Sequence, residues 1–259
     1  MCKSFTENIK EAFLRELPEL KVCVFDSVGS TSDEARTLGK LGGGRAAFFI
    51  AKEQTSGRGR RGRSFVSREG GLYLSYLLHP TLAAHDSIML TVFSAVALCE
   101  VIEEITGAAP GIKWVNDVFL GGKKLAGILT EGEFSEDGEK FNYAVVGIGV
   151  NLHGTVLDGQ IDSIATTLER ETGVRVDIAD FAVKLAKKLL AFEEKSSLSY
   201  MKAYRARSVI LGKRVKMTSA GEEFFAEVSS IEDDGAILVR LDSGEERKLY
   251  SAEVSVILN

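Results

Sequence analysis

Cysteine, proline, histidine and tryptophan are all scarce in this chain of 259 residues, which holds three, three, three and one of them. Cys2, Cys23 and Cys99 are too few and too far apart for a disulfide framework or a zinc site, and they fit a reducing compartment such as the cytoplasm. The shortage of proline and the lack of any low-complexity run argue against disorder. No apolar run reaches the roughly 18 residues needed to cross a bilayer, and the opening MCKSFTENIKEAFLREL has no apolar signal-peptide core. His79, His85 and His153 are scattered, no metal triad or Ser/His/Asp order stands out, and covalent nucleophilic catalysis finds no support. Basic charge is also short: 32 Lys and Arg against 37 Asp and Glu leave a net charge of -5, which disfavours general affinity for nucleic acid.

What is present is ample core. At 45% hydrophobic residues, the chain can build one large domain, or one large and one small. Phe5, Ile9, Phe13 and Leu17 recur at helical spacing up to Pro18. KVCVFD (21–26) then reads as a strand. Thr31 followed by Glu34 predicts a capping box opening a helix that the glycines at 42–44 end. Strands are predicted at 46–53, 71–78 and 142–152, with a long apolar helix over 87–107 and a core-facing helix over 178–195. GIKWVND (111–117) and KKLAGILTEGEF (123–134) read as a strand pair around Gly121–Gly122. From Ser208 the segments become short and β-rich, with turn signals at Ala220–Gly221, Asp234–Gly235 and Ser243–Gly244. The expectation is an α+β body over 1–207 carrying a small antiparallel barrel over 208–259.

Four stretches could carry chemistry. EQTSGRGRRGRSF sets Arg58, Arg60, Arg61 and Arg63 among three glycines. Glycines let backbone N–H groups approach an anion, and guanidinium forks suit carboxylate or phosphate. The same loop also reads as a solvated basic turn. KWVND brings Lys113, Trp114, Asn116 and Asp117 together, either to serve a nucleotide and its Mg²⁺ or as a plain Asn-Asp turn. Period-2 alternation puts Lys124 on one face with Ala126, Ile128 and Thr130, an apolar setting that calls for a counter-charge, and turns Lys123 the other way. In VVGIGVNL, Gly147 and Gly149 share one face of an apolar strand, which marks either a bulge or a flat ligand against bare backbone.

In this order, GSTSDEA, EQTSGRGRRGRSF, KWVND with KKLAGILTE, and VVGIGVNL resemble the biotin–protein ligases over roughly residues 20–155, and the C-terminal β segment fits as well. The resemblance implies a mixed sheet flanked by helices, like the class II aminoacyl-tRNA synthetases, with an SH3-like β-barrel after it. It implies that biotin and ATP, with Mg²⁺, give biotinoyl-5′-AMP, whose acyl group passes to a lysine of a biotin carboxyl carrier protein. No prosthetic group is implied. About 20 residues precede the first strand, which points to the form without a DNA-binding domain and hence no DNA partner; no membrane partner is expected, and a homodimer is compatible. Ser30, Thr31 and Gln54 would bond the ureido ring of biotin, with Ser32 standing where many members have Asn. Arg58, Gly59 and Arg60 would cover the carboxylate and α-phosphate, Lys124 would sit at their junction, and Gly147 and Gly149 would floor the pocket. Lys113, Asn116, Asp117 and Asn151 would serve the nucleotide and metal, with Phe65 stacking on adenine where some relatives have Trp. Catalysis would fall to Lys124, Arg60 and Asp117. The alternatives are a lipoate–protein ligase and, from another class, a noncatalytic nucleic-acid-binding protein.

Overall fold

The computed structural model describes residues 3–42, 46–154, 163–191, 197–219 and 221–256. Its centre is a seven-stranded mixed sheet. The strands are β1 (Lys21–Val28), β2 (Ala47–Gln54), β3 (Gly71–Leu78), β4 (Gly111–Lys113), β5 (Asp117–Leu120), β6 (Lys123–Phe134) and β7 (Phe141–Asn151), in the order β1-β2-β3-β7-β6-β5-β4. Only β1 and β2 run parallel; the other neighbours are antiparallel. Every residue of β3 is buried because helices cover both faces.

On one face lie α1 (Phe5–Glu16), α3 (Ile88–Thr106), α5 (Ile178–Leu190) and α6 (Ser197–Ala206). Ser4 and Glu7 close a capping box on α1, and its apolar stripe buries Ile9 and Phe13. α3 is apolar nearly all round and is buried nearly all round. On the other face α2 (Thr31–Lys40) packs Ala35 against Phe49, Leu77, Tyr143 and Val145. Among the described residues no helix is long and apolar enough to cross a membrane.

Several expectations need correction. α2 has no capping box: Ser30 is its N-cap residue and makes no side-chain cap bond, while the Thr31 hydroxyl is spent on Gln54. The Glu34 N–H that Thr31 was expected to cap donates instead to the Ser30 carbonyl at 3.2 Å, because Thr31 already lies inside the helix. Residues 111–117 are not one strand: β4 ends at Lys113, the chain turns over 114–116 and β5 begins at Asp117, and at the turn the Trp114 indole N–H donates to the Gly235 carbonyl at 2.9 Å. Asn116 stitches that bend to β6 twice, accepting from Ile128 N and donating to Ile128 O, each at 2.9 Å. The β5–β6 turn does fall at Gly121–Gly122, both with positive φ, 57° and 77°. α5 stops at Leu190, and residues 192–196 lie outside the described residues, as do 43 and 44 of the expected helix-ending glycines. The short α4 (Leu168–Thr172) and α6 have no counterpart in the sequence reading.

The C-terminal segments form a five-stranded antiparallel sheet of β8 (Arg214–Ser219), β9 (Glu222–Ile231), β10 (Ile237–Leu241), β11 (Glu246–Leu249) and β12 (Glu253–Val256), in the order β11-β10-β9-β8-β12. The final β-rich run, with no turn signal after Ser243–Gly244, breaks at 250–252, and its halves pair at opposite edges of the sheet, on β10 and β8. Of the expected turns, Gly221, Gly235 and Gly244 all take positive φ, while Ala220 lies outside the described residues. Apolar residues of this sheet, among them Val215, Val228 and Val254, continue the core that contains Ile112, Trp114 and Val115.

Candidate functional site

The middle of the large sheet is bare. Gly147 and Gly149 on β7 and Gly127 on β6, the register partner of Gly149, lack the side chains that would otherwise fill the space above them. A Cβ on Gly149 would stand 2.5 Å from the Phe65 ring, one on Gly147 would stand 2.6 Å from Ser32 Oγ, and one on Gly127 would stand 3.3 Å from both Lys124 and Phe65. Close approach, not a bulge, therefore accounts for Gly147 and Gly149, while a Cβ on Gly127 would meet tight contacts with side chains that can shift. Gly127 was absent from the sequence reading, although it is the glycine of K-L-A-G-I-L.

The start of α2 supplies hydroxyls. Ser30, Thr31 and Ser32 are buried at 3%, 3% and 7% exposure. Gln54, at the end of β2, accepts from the Thr31 backbone at 2.9 Å and hydroxyl at 3.0 Å, and donates to Ser67 Oγ at 2.8 Å. Behind them Ser75 of β3 lies within hydrogen-bond distance of both Thr31 and Ser32.

The arginine loop folds over this floor as an irregular hairpin, with Gly59 N donating to Arg63 O and Phe65 N to Gly57 O. Its side chains are paired. Arg58 binds Asp33 at 3.2 Å and also Glu131, two carboxylates that Arg36 reaches as well. Arg60 donates to Asn116 Oδ1 at 2.9 Å, and burial followed by the charge of Arg61 pushes its pKa down. Arg61 takes φ 56°, the one positive φ among the described non-glycine residues, and with Arg63 it meets Glu253 of β12. The loop is neither a freely solvated turn nor an empty anion trap, because acidic side chains already hold most of its arginines.

Opposite the loop, Lys124 Nζ stands 2.7 Å from Asp117 Oδ1, the counter-charge its apolar strand face called for. The contact is an ion pair out of hydrogen-bonding direction, since that buried oxygen has no directed donor. Lys113 packs 5.5 Å from the Phe119 ring centroid, and burial lowers its pKa more than Asp117 restores it. Trp114 borders the site, but its N–H is committed to Gly235.

These groups enclose one cavity of about 260 Å³. Its wall takes in Ser30, Thr31, Ser32, Gln54, Arg58, Gly59, Arg60, Phe65, Lys113, Asn116, Asp117, Lys124, Gly147 and Gly149. Asn151 is not part of the wall; its amide donates to the Thr166 carbonyl at 3.1 Å. The sequence reading missed Ala252, Glu253 and Val254, which the C-terminal sheet contributes, and the carboxylates Asp33 and Glu131 that hold Arg58. It also missed Ser75, whose signal was a lone serine within the apolar run GLYLSYLL. Among the described residues no group of three or more His, Cys, Asp or Glu side chains could hold a metal.

A cavity with hydroxyls and amides at one end and fixed cations at the other is that of an enzyme handling a small molecule with a polar head and an anionic tail. Residues 45–151 match the biotin/lipoate A/B protein ligase family, and residues 210–256 match the biotin protein ligase C terminal domain. The chain is 33% identical to the biotin--[acetyl-CoA-carboxylase] ligase of Paracoccus denitrificans, over 84% of this chain and 93% of that one. It is 30% identical to the bifunctional ligase/repressor BirA of Bacillus subtilis, over 89% of this chain and 72% of the relative. The biotin protein ligase of Aquifex aeolicus in complex with biotin and ATP superposes with a TM-score of 0.76 at 28% identity, over 92% of this chain and 99% of that one. The chain belongs to the biotin protein ligase family.

Proposed function

We propose that this chain is an ATP-dependent ligase that converts biotin to biotinoyl-5′-AMP and transfers the biotinoyl group to a lysine of a biotin carboxyl carrier domain. The observation that carries the reading is the single cavity that joins the Thr31–Gln54 head to Arg60 and Lys124. Ser30, Thr31, Ser32 and Gln54 take the ring, with Gly147 and Gly149 beneath. Arg58, Gly59 and Arg60 cover the carboxylate and the α-phosphate, and Lys124 bridges them. Phe65, Lys113, Asn116 and Asp117 serve the nucleotide. A nucleotide role for Asn151 requires its amide to leave Thr166.

Two anions must meet, and fixed cations remove the repulsion while holding them in line. A biotin carboxylate oxygen attacks the α-phosphorus, the bond to the β-phosphate breaks, and pyrophosphate leaves. The carrier lysine amine then attacks the acyl carbon, AMP leaves, and the amine gives up a proton. Asp117 fits a Mg²⁺ ion, since its buried Oδ1 lacks a directed donor and Mg²⁺ commonly takes one or two carboxylates with substrate phosphates and water. When bound, the ion would neutralise phosphate charge.

The finer architecture belongs to the same proposal: a synthetase-like catalytic domain over 1–207 and an SH3-like barrel over 208–259, working in the cytoplasm, with a homodimer compatible. A nucleic-acid-binding role is disfavoured because Asp33, Glu131, Asn116 and Glu253 occupy the loop arginines. The test is biotin-dependent ATP–pyrophosphate exchange, then label transfer to a carrier domain, with lipoate in parallel. No exchange with biotin, or equal exchange with lipoate, would overturn the reading.

A further inference from the structure

Ser75 is fully buried and does not reach the cavity, yet it touches two residues that do. Its Oγ lies 2.8 Å from Thr31 Oγ1 and 3.0 Å from Ser32 Oγ. The direction of these bonds is fixed by what surrounds them. The Thr31 backbone N–H can only donate, so the Gln54 atom 2.9 Å away is the amide oxygen. The Thr31 hydroxyl, 3.0 Å from the same oxygen, must donate to it. A hydroxyl has one proton, so Ser75 must donate to Thr31. Having done so, Ser75 can only accept from Ser32. The far side of the amide agrees, since Gln54 Nε2 donates to Ser67 Oγ at 2.8 Å and Ser67 donates to the Phe65 carbonyl at 3.0 Å. Donation therefore runs from Ser32 to Ser75 to Thr31 to Gln54, and every hydroxyl proton on the way is spent inside the protein.

We propose that Ser75 is a specificity-determining positioning residue: it takes the Ser32 proton and gives its own to Thr31, so that both hydroxyls offer the cavity only lone pairs. This end of the site then selects a ring that brings N–H donors. Ser30 has the opposite character. It makes no capping bond, and its hydroxyl keeps a proton to offer among the described residues. Two acceptors beside one donor complement a cyclic urea, which has two N–H groups and one carbonyl. A ring with an oxygen in place of an N–H sets lone pair against lone pair, and a dithiolane has no N–H to give. The inference rests on the biotin-ligase reading and adds to it the residue that sets the sign of recognition.

The test is ATP–pyrophosphate exchange driven by biotin and by its two cyclic carbamate analogues, in which one or the other ring N–H is replaced by oxygen. For the intact protein, kcat/KM is expected to fall about 10²-fold or more for at least one carbamate, the order seen when a buried polar group is left unpaired. Ser75→Ala frees the Ser32 proton, while that of Thr31 stays on Gln54. Discrimination against the carbamate whose oxygen meets Ser32 is then expected to shrink to under about tenfold. The KM for biotin rises, while the KM for ATP and kcat hold. Equal use of biotin and both carbamates by the intact protein would overturn the proposal without any variant having to fold. Unchanged discrimination in Ser75→Ala would overturn it too, as would a parallel loss of biotin and ATP affinity, which marks mere packing. If the intact protein shows no biotin-dependent exchange, the ligase reading itself fails and this inference with it.

Discussion

Lys124 and Asp117 face each other at 2.7 Å across the β5–β6 hairpin, so the cation proposed for the carboxylate–phosphate junction is already neutralised by the carboxylate proposed for the metal. One substitution therefore has two consequences. Lys124→Ala removes a donor to the transition state and also leaves Asp117 without its partner. By analogy with the loss of one electrostatic donor, adenylate formation should slow about 10²- to 10³-fold. The Lys124 side chain is one-third exposed, but the Asp117 it leaves unpaired is only 19% exposed, so the melting temperature should fall while the variant stays folded. Pyrophosphate exchange and a thermal melt on the same preparation check both halves; a folded variant with near-normal exchange would remove Lys124 from the mechanism.

Gly149 and Gly39 separate a site glycine from a packing glycine. A methyl group on Gly149 would press on the Phe65 ring at 2.5 Å, and one on Gly39 would press on the Tyr143 ring at 2.6 Å. Phe65 is half-buried above the cavity, whereas Tyr143 is locked in the core under α2. Gly39→Ala should cost about 1–3 kcal/mol of stability through overpacking and leave the KM for biotin unchanged. Gly149→Ala should do the reverse: stability close to normal, with substrate KM raised roughly tenfold or more by an overpacking strain of that size. Urea melts and exchange kinetics on the two variants distinguish them.

His153 gives the protein a pH dependence unrelated to catalysis. It follows β7, lies 3.6 Å from Glu169, and its buried Nδ1 has no hydrogen-bond partner. Burial, and after it the charge of Arg175, holds its pKa below the ordinary 6.5, although Glu169 pulls the other way. Below pH 6.5 the unfolded chain takes up a proton that the native state refuses, so stability must fall with pH through that window. The urea midpoint should drop from pH 7.5 to 5.5, and His153→Gln should flatten that slope. An unchanged slope would assign it to other groups.

What the sequence made legible, and what it hid, follows from the distance over which each residue acts. Gly147, Gly149 and Lys124 break the pattern of their own strands, so a period-2 count finds them. The arginine loop is visible as composition. Glu253 is hidden, because it meets Arg63 across 190 residues and nothing local marks it. Thr31 and Glu34 spell a capping box, but the helix starts one residue earlier than that reading, with Ser30 as N-cap and its carbonyl taking the Glu34 N–H. ERKLYSAEVSVIL reads as one β-rich run without a glycine or proline to punctuate it, and only the separate pairing of its halves with β10 and β8 divides it. α4 has five residues, too few to show a helical period. α6 does place Tyr200, Met201 and Tyr204 at helical spacing, but its ten residues stand between the stronger signals of α5 and the β-rich tail.

The ion pairs from Arg61 and Arg63 to Glu253 set how the arginine loop answers salt and substrate. Arg63 is 69% exposed and Arg61 is 38% exposed, so water and ions reach both. Exposed pairs of this kind contribute about 0–1 kcal/mol and weaken as salt rises. Arg58 is held more firmly, between Asp33 and Glu131. Trypsin should therefore cut after Arg63 and Arg61 before it cuts after Arg58. Raising the salt should speed the early cuts, and Glu253→Gln should speed them at low salt and abolish their salt dependence. Biotin should slow cleavage and biotin with ATP should slow it further, because the carboxylate and phosphate offer the arginines charge-assisted bonds in the closed site. ATP alone should protect less, since the ring end of the cavity is left unfilled. Mass spectrometry of early digests gives the order of cuts. Cleavage equal with and without substrates, and indifferent to Glu253, would show that the loop neither closes on ligand nor is tethered by the C-terminal sheet.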